Sequence, residues 1–184
     1  MARNITKSEL QSITRNFTVN EQRQILKSAR SQSVSVATFL SHSSKDIEIL
    51  PGVINILKNH GASVYIDEVD PNMPPYTSHE TARLLKERIN NSKRFVLLTS
   101  ENSKDSRWVP WELGLADGYK NMNRIALFPS SDSMYVDKWS SWEYLGLYLK
   151  IVWGKLQGYD KEVWMVLDEE SNTATELSSW LSGS

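Results

Sequence analysis

The sequence contains no cysteine, which removes disulfide frameworks, thiolate catalysis and Cys-based zinc sites together. It has almost no net charge: 21 Lys and Arg stand against 22 Asp and Glu, leaving −1 at neutral pH. That balance offers no electrostatic footprint for nucleic acid or an anionic membrane. Long hydrophobic runs are missing as well. Mean hydropathy is −0.44, and every apolar stretch is broken by charge well short of the roughly 18 residues a membrane span requires. Residues 1–46 carry scattered charges and no apolar segment of the kind a secretory signal needs. Histidine is scarce: His42, His60 and His79 lie in separate segments without a ligand spacing, so no metal site is expected. What is present is a chain of 184 residues, long enough to bury roughly 70% of its unfolded surface without a covalent or metal staple. A soluble, cytoplasmic globular protein is expected.

Residues 1–33 read as an N-terminal helical extension. Thr6-Lys7-Ser8-Glu9 and Thr18-Val19-Asn20-Glu21 fit the capping box that opens a helix. Leu10, Ile13 and Phe17, then Ile25, Leu26 and Ala29, form a thin apolar stripe, which suits a packing appendage or dimer arm. Residues 34–184 read as the main domain. Strands are expected at 34–40, 62–66, 94–99, 124–128 and 162–167, and helices at 46–60, 77–91, 108–120 and 173–181. A Trp- and Tyr-rich connection between the fourth and fifth strands shows no clear period. Strands alternating with helices predict an α/β fold, a flavodoxin-like five-stranded parallel sheet of order 2-1-3-4-5 with helices on both faces. Ligands then sit beyond the carboxyl ends of the strands, where residues 41–45, 67–76 and those from 100 onward converge.

Each of those stretches has chemistry to offer. The third helix opens Ser106-Arg107-Trp108-Val109-Pro110-Trp111-Glu112-Leu113-Gly114, with proline near the first turn. Trp108 and Glu112 share a face one turn apart. An indole beside a carboxylate at the positive end of a helix suits a flat cationic or aromatic ligand. A core Trp with a Glu that complements the dipole fits equally well. The loop Ser41-His42-Ser43-Ser44-Lys45-Asp46 supplies hydroxyls, N–H groups and a cation that can cradle phosphate. It has no glycine, so it is neither a Walker loop nor a dinucleotide fingerprint, and a Ser-rich turn with Asp46 as helix cap is the plainer account. His42 is placed to touch a ligand or simply to complete the loop. Asp67, first of the carboxylates in Asp67-Glu68-Val69-Asp70, either serves chemistry or solvates a loop that Pro71, Pro74 and Pro75 stiffen.

Taken together, Val36-Ala37-Thr38-Phe39-Leu40-Ser41-His42-Ser43-Ser44-Lys45-Asp46, Val64-Tyr65-Ile66-Asp67 and residues 103–112 resemble the three boxes of a Toll/interleukin-1 receptor (TIR) domain. They stand in the right order at compatible distances, and the likeness extends over residues 34–181. The run Trp108-Val109-Pro110-Trp111-Glu112-Leu113-Gly114-Leu115-Ala116-Asp117-Gly118 is similar to a stand-alone bacterial subgroup. The resemblance implies the flavodoxin-like fold already reached from periodicity. It also implies NAD+ as substrate with no cofactor, since many TIR domains release nicotinamide and form ADP-ribose or a cyclic variant. The family's catalytic glutamate falls in its Trp-x-x-x-Glu box, here Trp108 to Glu112. Trp108 and Trp111 would then wall the nicotinamide ring, and Ser41, His42, Ser43 and Asp67 would lie along the rest of the substrate. The family's mobile loop corresponds to residues 67–76, which here lack the usual glycine near the tip. So sparse a site suits the reaction. Nicotinamide leaves neutral, and one carboxylate can stabilise the oxocarbenium-like cation left on the ribose.

Other occupants of this fold fit less well. A phospho-receiver domain needs acids at the ends of the first and third strands, where Phe39-Leu40-Ser41 and Leu98-Thr99-Ser100 stand. An FMN site needs a glycine-bearing first loop. Nucleoside deoxyribosyltransferases share the architecture and use a glutamate. The main rival is a non-catalytic TIR adaptor acting by homotypic contact, which has no chemical need of Glu112. The resemblance further implies homo-oligomers through TIR–TIR contacts and, as in Thoeris-type anti-phage systems, a diffusible nucleotide read by a separate effector. No nucleic-acid or membrane partner and no further attached domain are expected.

Overall fold

The computed structural model describes residues 2–67, 79–131 and 143–183 and is built on one sheet of eight strands. The strands are β1 (Ile5–Thr6), β2 (Thr38–Ser41), β3 (Val64–Tyr65), β4 (Arg94–Thr99), β5 (Ile125–Ser131), β6 (Leu149–Lys155), β7 (Glu162–Asp168) and β8 (Thr173–Glu176). The helices are α1 (Lys7–Arg15), α2 (Val19–Arg30), α3 (Leu50–Asn59), α4 (His79–Asn91), α5 (Val109–Tyr119) and α6 (Leu177–Ser182). A strand apolar at successive positions must be covered on both faces, and the central strands are. In β4, Phe95 and Leu97 enter one core and Val96 and Leu98 the other. Along β5, Ile125 and Leu127 part in the same way from Ala126 and Phe128. Helices α1, α2, α3 and α6 cover the Val96 face, and α4 and α5 cover the Phe95 face. Among the described residues, no helix is long and apolar enough to cross a membrane.

Along the sheet the order is β3-β2-β4-β5-β6-β7-β8, and β1 pairs with β5. The first four of these are parallel neighbours, which matches the expected 2-1-3-4 and its switch point. Beyond β5 the expectation of a five-stranded, wholly parallel sheet is corrected. The unpatterned aromatic connection contains β6, parallel to β5, and the expected fifth strand, β7, runs antiparallel to β6. The physical reason is length. Residues 156–161 are too few for a parallel crossover, which takes a dozen or more; they turn with Gly158 at φ 89° instead. The expected final helix also divides. Its first residues, Thr173-Ala174-Thr175-Glu176, extend as β8 on β7, as alternating β-branched residues prefer, and only Leu177–Ser182 coil.

Both expected capping boxes are present, with Thr6 paired to Glu9 and Thr18 to Glu21. The first thirty residues are packed into the main core, Leu10 being fully buried there. Strand β1 lies where β5 and β6 diverge. Ile5 and Thr6 pair with Ser130 and Ser131 of β5, and Arg3 bridges to Trp153 of β6. Helix α1 also completes the start of α3, whose first-turn N–H groups have no partner in their own helix. Ile49 makes no side-chain cap there, and the Gly52 N–H donates across to Thr14 Oγ1 at 3.1 Å. This contact requires glycine, because a Cβ at residue 52 would stand 2.8 Å from the Leu10 carbonyl oxygen. Gly52→Ala is expected to lower unfolding free energy by about 1–3 kcal/mol, as overpacking does, measured as a fall in the urea midpoint at unchanged slope.

Candidate functional site

The alternation that divides Phe39 from Leu40 continues to Ser41, the last residue of β2, and turns its side chain toward α5. Helix α5 carries Pro110 in its first turn, and Glu112 follows one turn in, its N–H bonded to the Trp108 carbonyl at 2.8 Å. Ser41 Oγ donates a hydrogen bond to Glu112 Oε2. This is the contact that joins sheet edge to helix start. Glu112 is only 3% exposed and lines a hollow with Phe39, Leu40, Ser41, His42 and Asp67. The Phe39 ring beside this hollow stacks on Phe95 at 5.7 Å and meets Tyr65 at 5.5 Å, so three neighbouring strands brace it. Among the described residues the hollow leaves no room even for a water molecule, against the roughly 300–1,000 Å³ of sites that hold larger ligands. In this conformation the hollow is shut to a dinucleotide.

Burial pushes the Glu112 carboxyl up to about 8; the Ser41 hydrogen bond opposes this and the negative charge of Asp67 adds to it. Glu112 is therefore mostly protonated at neutral pH, and among the described residues no cation pairs with it. The dipole at the start of α5, the sequence's reason to expect a stabilised carboxylate, is outweighed by desolvation. His42 is buried, which holds its imidazole below the usual range and neutral. Its Nδ1 lies 3.3 Å from the Leu40 carbonyl oxygen, an acceptor only, so the proton belongs on Nδ1 and Nε2 keeps a lone pair. Asp67 accepts from Tyr65 Oη at 2.8 Å and forms an ion pair with Arg88 of α4. Burial, with Asp67 adding to it, raises the Tyr65 phenol and keeps it a donor.

The structure thus gathers Ser41, His42, Asp67 and Glu112 around one hollow. Ser43 is buried beside them, but its hydroxyl faces its own loop and accepts from Lys45 N at 3.4 Å. Trp108 and Trp111 meet edge to face at 5.6 Å and pack half-buried against the α4–α5 core; among the described residues neither lines the hollow. The expected loop at 67–76 lies, apart from Asp67, outside the described residues.

Asp46 does not cap α3. It is 1% exposed and accepts from Ser100 Oγ and from Asn102 Nδ2, while Ser103 Oγ donates to the Leu98 carbonyl at 2.9 Å. This network ties the loop after β2 to the loop after β4. The pair Ser100 and Ser103, a hydroxyl capping pattern at a strand end, was its only trace in the sequence. Tyr65 and Arg88 were not singled out either, since they reach Asp67 through tertiary contact that no local pattern announces.

Comparison with known proteins agrees with this geometry. The TIR domain family matches residues 38–147, more than half the chain and the span from β2 through α5 that builds the hollow. A protein of Bacillus cereus (strain MSX-D12) named "Probable 3' cyclic ADP-D-ribose synthase ThsB'" is 38% identical over 130 residues, 69% of this chain and 66% of that protein. One of Cytobacillus dafuensis named "Putative cyclic ADP-D-ribose synthase TIR2" is 35% identical over 78 residues, 41% of this chain and 21% of that protein. The chain therefore spans just under two thirds of the first relative's length and about a fifth of the second's. With three boxes in order, a parallel β3-β2-β4-β5 sheet and the glutamate of the third box at its carboxyl edge, the chain belongs to the TIR domain family.

Proposed function

We propose that the protein cleaves NAD+ at the bond between nicotinamide and its ribose, with Glu112 as the carboxylate responsible. The observation that carries this reading is a buried acid with no cation beside it among the described residues. Carboxylates buried for stability alone are ordinarily paired. Glu112 has one hydroxyl and lines a hollow at the ligand-binding edge of the sheet, as functional acids do. The relatives' names, which speak of cyclic ADP-D-ribose synthesis, support an ADP-ribose-derived product.

The pyridinium of NAD+ brings a positive charge that favours the ionised form of Glu112, whose proton is released to solvent as the substrate binds. As the C1′–N1 bond lengthens, its electron pair leaves with N1 and nicotinamide departs neutral, with no acid required. The cation left on the ribose is stabilised by the Glu112 carboxylate, which also accepts hydrogen bonds from ribose hydroxyls. Water then captures the cation, giving ADP-ribose and a proton. Alternatively an atom of the same molecule does so, giving a cyclic product and a proton, and exclusion of water favours this second course. Ser41 holds the carboxylate, His42, Ser43 and Asp67 border the ribose and diphosphate, and Trp108 and Trp111 flank the ring once the hollow opens. NAD+ is substrate here and no cofactor takes part. The product serves as a diffusible signal to a separate effector in anti-phage defence, and the enzyme acts as a homo-oligomer. One observation favours the rival reading of a TIR scaffold working by homotypic contact, namely that the hollow is shut.

Incubation of the purified protein with NAD+, followed by mass analysis, decides between them: nicotinamide and an ADP-ribose-derived product are expected. Glu112→Gln is expected to lower turnover by about 100-fold or more without lowering the melting temperature. A scaffold would leave NAD+ intact in both.

The pH dependence has a definite sign. The free enzyme must lose the Glu112 proton, so kcat/KM should rise with pH through a midpoint near 8. The kcat midpoint should lie lower, because bound pyridinium favours the carboxylate. Between 4.5, the ordinary carboxyl value, and about 8, the folded state holds a proton that the unfolded chain has released. Stability therefore falls as pH rises across that window. Glu112→Gln removes this fall, and its melting temperature should exceed that of the wild type above pH 8. Because the active form is proposed to be an oligomer, specific activity should rise with protein concentration across a dilution series.

A further inference from the structure

Among the described residues, two carboxylates line the hollow, and only one of them is answered by a cation. Asp67 receives the Arg88 guanidinium from α4 and the Tyr65 hydroxyl from its own strand, the latter at 2.8 Å. The guanidinium carbon also lies 5.9 Å from the centre of the Tyr65 ring. Aspartate, arginine and phenol thus form one braced unit at the end of β3. Glu112, across the hollow, has Ser41 alone. Arg88 is not among the residues lining the hollow, so it reaches Glu112 through Asp67.

From this arrangement we infer that Arg88 is a positioning residue, which by pinning and neutralising Asp67 decides whether Glu112 can carry its negative charge beside the substrate. The inference rests on the reading of Glu112 as the cleaving carboxylate. Its physical basis is the difference between a bare charge and an ion pair. A lone Asp67 carboxylate would act on Glu112 with the full field of a negative charge in a poorly screened site. With Arg88 in place that field is the weaker one of a dipole, and the Asp67 oxygens are directed toward α4 and Tyr65. The other titratable groups around Glu112 contribute little of either sign. His42, at the end of β2, is held neutral by burial, and the Tyr65 phenol is held protonated by burial and by Asp67. Asp67 already acts to keep the Glu112 proton on, and Arg88 is the described cation placed to limit that action. Nothing in the local sequence marks this role, because Arg88 lies in the last turn of an amphipathic helix whose other arginine, Arg83, serves surface pairs with Glu80 and Glu87.

The test reads Glu112 directly. The side-chain carboxyl carbon is followed by NMR through a pH titration of the whole protein without NAD+, and assigned by its loss in Glu112→Gln. In Arg88→Gln the Glu112 midpoint is expected to rise by about one pH unit, as a newly exposed like charge demands. Arg88→Lys should restore most of the wild-type value. Asp67→Asn should lower the midpoint, and to nearly the same value whether or not Arg88 is present. The kcat/KM profile for NAD+ should move with the NMR midpoint in each variant. A Glu112 midpoint unmoved in Arg88→Gln, or moved equally in Arg88→Gln with and without Asp67→Asn, overturns the inference. Because the titration uses no substrate, a shifted midpoint in a protein that leaves NAD+ intact would count against the enzymatic reading of Glu112 alone. Cleavage of NAD+ with no shift would count against the role of Arg88 alone.

Discussion

A carboxyl group held out of water by one serine hydroxyl is the constraint from which the site follows. Taking an ion of this size out of water costs on the order of several kcal/mol even after relaxation, and among the described residues no arginine or lysine stands beside Glu112 to offset it. The protein meets that cost by keeping the proton at neutral pH. On the reading proposed above, this neutral acid is drawn toward its carboxylate form at neutral pH when positive charge arrives, and NAD+ carries such a charge on the ring that leaves. Binding and ionisation are then coupled, and the site favours a ligand that brings its own cation.

Everything around Glu112 serves to hold that geometry. Parallel pairing of β3, β2 and β4 sets Tyr65, Phe39 and Phe95 side by side, a rigid aromatic row at the flank of the hollow. The buried Asp46 ties the loop after β2 to Ser100 and Asn102 after β4, so the segment that ends in Ser41 and His42 is tethered from both sides. Pro110 lies in the first turn of α5, and Glu112 in the same turn meets Ser41. In the proposed reaction, preorganisation of this kind keeps the reorganisation needed at the moment of bond cleavage small.

Much of this was legible in the sequence. The switch point at β2 and β4 followed from runs that are apolar at successive residues, such as Phe95 to Leu98, because only a doubly covered parallel sheet uses them. The capping boxes at Thr6 and Thr18 were readable from spacing alone, and the glutamate of the third box from the resemblance to TIR domains. What was hidden depends on contacts between distant elements. Burial of Glu112 comes from β2 folding over the start of α5, and the helix-dipole rule applied to the sequence pointed to an ionised group. The Asp46 network and the Arg88–Asp67 pair join residues far apart in the chain, so no window of sequence holds both partners. Trp108 and Trp111, prominent as a pair next to the key glutamate, pack against the core, since indoles at helical spacing most simply fill volume. The far end of the sheet escaped for another reason: Lys150, Trp153 and Gly154 blur the strand pattern of β6.

The placement of β1 bears on how the chain reaches this state. Residues 3–6 find their partners only at residues 130–131 and 153, so this segment must wait for most of the chain that follows it before it can dock. Pairings of such high contact order are slow to form, and until they form Leu10 and Ile13 of α1 lack part of their cover. Insertion of β1 between β5 and β6 is therefore set to be a late step in maturation, one that seals the sheet after the ligand-binding edge has already been assembled from β2, β3 and β4.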